Sequence, residues 1–235
     1  MAEWQIPGVT RTPAAQALAD TTAAAFMSKV YRWMVAGLAI TGAVALFTAS
    51  SPAFFQAVLG LRWVLFIAQL GLVFALSSMA PRLSASTSAA LFIGYAALTG
   101  LTFSVLLRVF PPDVLGQAFL LTAGTFGAMS AYGTLTKKSL SGWGTFLFMG
   151  LIGVFLASLV QMFWANAALS FVTSCACVVV FAGLTAYDTQ KLRQFHASSG
   201  YASSGSLAIT GALMLYLDFI NLFIALVRLL GGRRR

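Results

Sequence analysis

Seven apolar runs of about twenty residues, parted by short polar breaks, leave this chain few folds to choose from. They lie at Tyr31 to Ala49, Leu61 to Ser78, Ser88 to Phe110, Gln117 to Leu135, Trp143 to Phe163, Ala167 to Tyr187 or somewhat beyond, and Leu207 to Val227. Each run, wound as an α-helix, is long enough to cross a hydrocarbon core about 30 Å thick. Composition agrees: 60% of the residues are hydrophobic, 8% are charged and the mean hydropathy is +0.90, outside the range of soluble domains. The expected fold class is an all-α membrane protein of seven transmembrane helices. The transmembrane domain covers 27–230, between a short N-terminal tail, 1–26, and a basic C-terminal tail, 231–235. The first 26 residues carry Glu3, Pro7, Arg11, Pro13 and Asp20 with no apolar segment of the signal-peptide kind, so that tail is expected to be retained. The breaks SSPAFF, APRLSAS, FPPD and TKKSLSG read as turns, and none is long enough for a soluble domain. The longest, Asp188 to Ser206, continues the sixth helix at first and ends as a Ser- and Gly-rich loop.

The net charge is +9, but the 14 basic residues stand at the ends of the apolar runs instead of forming a patch interleaved with aromatics. That distribution speaks against nucleic acid and for topology signals and contacts to lipid phosphates. With the N-terminus cytoplasmic, Arg11, Lys29, Arg32, Arg82, Lys137, Lys138, Lys191 and Arg193 lie inside, against Arg62 and Arg108 outside. The C-terminal arginines admit two readings. Seven full crossings place Arg228, Arg233, Arg234 and Arg235 outside, whereas a last segment that enters and returns keeps them inside.

Small residues recur every fourth position in two runs: Ala96, Gly100 and Ser104 in the third, Ala123, Gly127 and Ala131 in the fourth. In lipid, helices gain little from hydrophobic association, and small residues let their backbones approach, so both stripes are read as packing seams. Cys175 and Cys177, two apart on one helix, point away from each other and are read as small buried hydrophobes.

Chemistry concentrates near the C-terminus. Asp218 stands midway along LAITGALMLYLDFINLFIALV, where a charge facing lipid costs about 2.5–3.5 kcal/mol on insertion scales. At helical spacing it shares a stripe with Gly211, Met214, Asn221 and Ala225, which is expected to face protein. Of the five acidic residues only one other, Asp188 in GLTAYDTQKLRQ, lies at or in a helix near it. Two carboxylates in a poorly solvated site cannot comfortably both ionise, so they share a proton and titrate as a pair. Doubly ionised, such a pair attracts a cation. Ca²⁺ fits, because water, backbone carbonyls and Asn221 can complete its six to eight oxygen ligands. A weak, proton-controlled cation site is therefore expected, with Asp188 and Asp218 as its acids and Arg82, at the end of the second helix, as a candidate electrostatic latch. The opposing reading makes Asp188 a solvated helix-end residue and Asp218 a lone protonated acid bonded to a neighbouring helix.

The same two stretches, GLTAYDTQKL and GALMLYLDFINLFIALVRLLG, resemble the C-terminal signature of the Bax inhibitor family, the transmembrane Bax inhibitor motif proteins and their bacterial relatives. The resemblance covers Tyr31 to Leu230, in its first five helices mainly through hydropathy. It implies seven helices with the last one central and wrapped by the other six, and a proton-sensitive calcium leak controlled by an aspartate pair at Asp188 and Asp218. It further implies an arginine that exchanges partners with that pair, for which Arg82 is the best-placed residue, and a link of bacterial relatives to a membrane-bound protease.

Two rival classes stand beside the channel. Aspartates on successive helices, one in a Tyr187-Asp188 pair, also describe intramembrane aspartyl proteases. Here, however, the second sits in Tyr216-Leu217-Asp218 instead of Gly-x-Gly-Asp, and no Pro-Ala-Leu motif follows. The lone histidine, His196, lies in the loop beyond the sixth helix, away from any intramembrane serine, and no P-loop, HExxH or dinucleotide turn is present. The other rival is a regulator that works by binding another membrane protein and needs no ionisable site. The expectation is thus a non-enzymatic, pH-sensitive calcium leak of a bacterial inner membrane. It has no cofactor, Ca²⁺ is the transported ion, and its partners are the bilayer and, on the regulatory reading, a membrane protein.

Overall fold

A computed structural model describes residues 13–79, 83–164, 166–198 and 205–232. Among them every regular element is a helix: α1 (Pro13–Ser50), α2 (Pro52–Gly60), α3 (Arg62–Met79), α4 (Ala85–Val109), α5 (Pro112–Leu135), α6 (Ser141–Phe163), α7 (Ala167–Ser198) and α8 (Gly205–Gly232). Six helices are long and apolar enough to cross a membrane, and α2 with α3 forms a pair bent by 73° that makes a seventh span if counted as one.

The boundaries follow local chemistry. Prolines sit in the first turn of α2 and α5, where the missing N–H would be unpaired anyway. Phe110, ahead of Pro111, is forced into extended backbone (φ −109°, ψ 142°), and that ends α4. Ser84 caps α4 by accepting from the Thr87 N–H at 3.1 Å. Two expectations need correction. SSPAFF is not a turn, since Pro52 opens a helix there, and FPPD contributes its second proline and Asp113 to the first turn of α5. α1 begins at Pro13, well before the apolar run at Tyr31, and α7 continues through Asp188 to Ser198.

Contacts fix the directions of the helices. Arg108 Nε donates to Ala49 O at 2.9 Å and Thr41 Oγ1 to Ala96 O at 2.9 Å, so α1 and α4 run parallel. The chain must therefore travel back along the bundle through α2 and α3. Ser88 and Ser206 bond through their hydroxyls at 2.7 Å, joining the starts of α4 and α8. Gly231, at the other end of α8, packs on Phe110 at the end of α4. The last segment, α8, is one unbroken helix over Gly205–Gly232. Arg228 stands at the opposite end of the bundle from the start of α1.

Burial is uneven. α8 packs against α1, α4, α5 and α7, and half of its span is buried, whereas α6 rests chiefly on α7 with 11% of its span buried. Tyr216, Leu213, Leu215 and Leu222 of α8 are fully buried and anchor the core, where Tyr216 meets Phe92 and Tyr95 edge to face. Of the two expected seams, one holds. Ala96, Gly100 and Ser104 are buried against α1, and a Cβ on Gly100 would stand 2.7 Å from Thr41 O. Ala123, Gly127 and Ala131 are exposed, and α5 instead buries Ala118, Thr122, Phe126 and Ser130. Spacing reveals a stripe of small residues but not which way it faces. Cys175 and Cys177 are half-buried free thiols.

Candidate functional site

A cavity of about 610 Å³ opens between α6, α7 and α8, and both aspartates line it, with Asn221, Tyr187 and Lys191. α7 and α8 are antiparallel, so the later part of α7 and the middle of α8 meet at one level. Asp188 is half-buried and Asp218 is 4% exposed. Each carboxyl lies within electrostatic reach of the other, and Lys191, one turn after Asp188, lies within reach of Asp188. Asp218 Oδ2 is buried and has no hydrogen-bond partner among the described residues. Asn221 donates from Nδ2 to Leu217 O at 2.8 Å, within its own helix. α6 reaches the site through Gly144, where a Cβ would come within 2.7 Å of the Tyr187 ring. The expected stripe on α8 is thus buried or half-buried: Gly211, Asp218 and Ala225 are buried, Met214 and Asn221 partly so, and both of the latter line the cavity.

The other faces of α7 are strapped down. Thr189 Oγ1 and Ser130 Oγ are 3.1 Å apart, and Ser130 also bonds the Tyr31 hydroxyl, tying α7 through α5 to α1. Gln190 bridges to the α5–α6 connection, donating to Lys138 O at 2.9 Å and accepting from the Leu140 N–H at 2.8 Å. Arg193 Nη1 donates to Thr134 O at 2.6 Å. Sequence reasoning missed this strapping, although a signal existed. A Thr-Gln pair directly after Asp188, in an apolar helix, has no reason to face lipid.

Two acids facing one cavity can share a proton or take a cation between them. Among the described residues no group of three or more His, Cys, Asp or Glu surrounds the pair, so a cation there would draw its other oxygens from water, amide and backbone. Arg82 lies outside the described residues, and so does the His196 side chain.

Comparison with known proteins gives a consistent family. The profile described as "Inhibitor of apoptosis-promoting Bax1" matches residues 23–235. An uncharacterized protein of Deinococcus radiodurans is 49% identical over 210 residues, covering 88% of this chain and 90% of that protein. Inner membrane protein YbhL of Escherichia coli is 46% identical over 215 residues, covering 89% and 92%. A protein of Rickettsia prowazekii is 39% identical over 212 residues, covering 89% and 90%.

Proposed function

The chain belongs to the Bax inhibitor family, and on that premise we propose that it is a pH-sensitive calcium leak of the bacterial inner membrane, gated by Asp188 and Asp218. The observation that carries this reading is the buried Oδ2 of Asp218, without a hydrogen-bond partner among the described residues, in a cavity that Asp188 also lines. An unmet buried acceptor costs about 1–3 kcal/mol, and a proton or a cation held between two carboxyls would remove that cost. Protonation then ties α7 to α8, and a change in protonation parts them and alters the path for cations. Lys191, at the same cavity, competes for Asp188 when that acid is charged.

The accompanying topology is also a proposal: seven crossings, with α2 and α3 together making the second, the N-terminus cytoplasmic and α8 at the centre of the bundle over 27–230. It rests on the parallel course of α1 and α4, which requires a return between them, and on the burial of α8. Arg82 is kept as the candidate latch. The reading as a regulator of another membrane protein, such as a membrane-bound protease, remains the alternative, and the absence of Gly-x-Gly-Asp argues against a protease of its own.

The test is calcium flux into proteoliposomes between about pH 6 and pH 8, for the native protein, Asp188→Asn and Asp218→Asn. The native flux is expected to depend on pH, and either substitution to abolish that dependence. No flux above protein-free vesicles at any pH would overturn the leak and favour the regulator.

A further inference from the structure

Of the polar residues that follow Asp188, Thr189, Gln190 and Arg193 bond to α5 and the connection after it. Lys191 is exposed and lines the aspartate cavity instead. It comes three residues after Asp188 and four after Tyr187, a spacing that puts all three on one face of α7. Its Nζ stands 5.6 Å from the centroid of the Tyr187 ring, within cation–π range, and its charge reaches Asp188 through space. The ring packs on Gly144 of α6. The ammonium therefore has two places within the sweep of one flexible stem, the carboxylate and the ring.

Resting on the reading of the aspartate pair as a cation site, we propose that Lys191 is a tethered counter-ion that keeps this site at low affinity. An entering cation displaces the ammonium from Asp188 onto the face of Tyr187, and the return of the ammonium helps that cation to leave.

A leak needs such a device, because an ion must bind well enough to enter and weakly enough to move on. Two charged carboxylates beside Phe148, Phe181, Leu184 and Leu217 are poorly screened, and a divalent ion between them would be held hard. Among the described lining residues, α8 adds Asp218 and Asn221, and α6 adds the hydroxyls of Ser141 and Thr145, none of them cationic. The opposing charge comes from α7 itself. Its tether holds the ammonium at a high local concentration, so it competes at all times with ions from solution. Electrostatic energy scales with the charge of the entering ion, so a divalent cation feels the ammonium more than a monovalent one does.

Equilibrium dialysis of the purified protein against radioactive calcium at about pH 8 tests this without relying on flux. Lys191→Gln, at an exposed position, should bind Ca²⁺ about tenfold more tightly, since a solvent-screened charge pair is worth up to about fivefold for a single charge and more for a double one. Lys191→Arg keeps the charge and should not show this gain. Tyr187→Leu removes the alternative seat, leaves the ammonium more often on Asp188 and should weaken binding about threefold, a loss that disappears when Lys191→Gln is also present. Unchanged affinity in Lys191→Gln, with binding abolished by Asp188→Asn, would overturn the role of Lys191 and leave the aspartate site standing. Tighter binding by Lys191→Gln without calcium flux in proteoliposomes would support Lys191 and overturn only the leak. No calcium binding by either the native protein or Lys191→Gln would overturn both.

Discussion

α6 and α8 have the same mean hydropathy over their spans, yet half of one is buried and about a tenth of the other. Hydropathy decides that a segment enters the bilayer, but lipid tails are as apolar as leucine, so it cannot decide whether the segment then faces lipid or protein. The difference lies in what interrupts the apolar residues. α8 carries Ser206, Tyr216, Asp218 and Asn221 among small residues such as Gly211, Ala212 and Ala225, and its buried polar groups call for protein around them. α6 presents Phe146, Phe155, Leu156 and Val160 outwards and keeps its smaller contacts, Gly144 and Gly150, for α7.

The sharpest way to break that contrast is one substitution made twice. Leu213 in α8 is fully buried and Leu156 in α6 is 54% exposed. Leu213→Ala should cost about 2–5 kcal/mol, because the surrounding core cannot close the cavity it leaves. Leu156→Ala should stay within about 0.5 kcal/mol, since acyl chains fill the gap. Denaturant unfolding in one detergent compares the two directly, and equal costs would mean that α8 is not packed as described.

The same reasoning separates what could be read from the sequence. All seven apolar runs return as single helices, α1 and α3 to α8, because hydropathy and length suffice for them, and among the described residues six of these helices are long enough to cross a membrane on their own. Asp188 and Asp218 were legible because an acid in an apolar helix has few places to go, and they do line one cavity. α2 was read as a break because SSPAFF, which runs from the end of α1 into α2, looks like a turn, although Pro52 is equally a helix start. The strap formed by Thr189, Gln190 and Arg193 was legible only as a polar pair that should face protein; its partners, Ser130, Lys138, Leu140 and Thr134, are about fifty to sixty residues away and no local rule pairs them.

A smaller effect sharpens the lesson about faces. Gly100 and Gly127 belong to stripes with the same spacing, but a Cβ on Gly100 meets Thr41 O and Val44 Cβ at 2.7 Å, and one on Gly127 meets nothing within 4 Å. Gly100→Ala should therefore destabilise by about 1–3 kcal/mol through forced separation of α1 and α4. Gly127→Ala should stabilise by up to about 1 kcal/mol through helix propensity alone. Opposite signs in the same thermal melt would establish the two faces, and two losses would mean that the outer stripe of α5 is packed after all.

The smallest expected effect probes the other side of α8. Tyr216 is fully buried, and its hydroxyl lies 2.6 Å from Thr41 Oγ1, which in turn lies 2.9 Å from both Gly37 O and Ala96 O. Tyr216→Phe keeps the ring that packs on Phe92 and Tyr95 and removes only the hydroxyl. Thr41 retains two carbonyls to donate to, so no buried donor is stranded, and the loss should be that of one neutral hydrogen bond, about 0.5–1.5 kcal/mol. Because Asp218 lies two residues on and lines the cavity on another face, the pH dependence of calcium flux should be unchanged. Stability that falls while gating stays constant would separate the face of α8 that anchors the bundle from the face that carries the acid. A change in the pH profile would instead mean that the two faces act as one polar network across the helix.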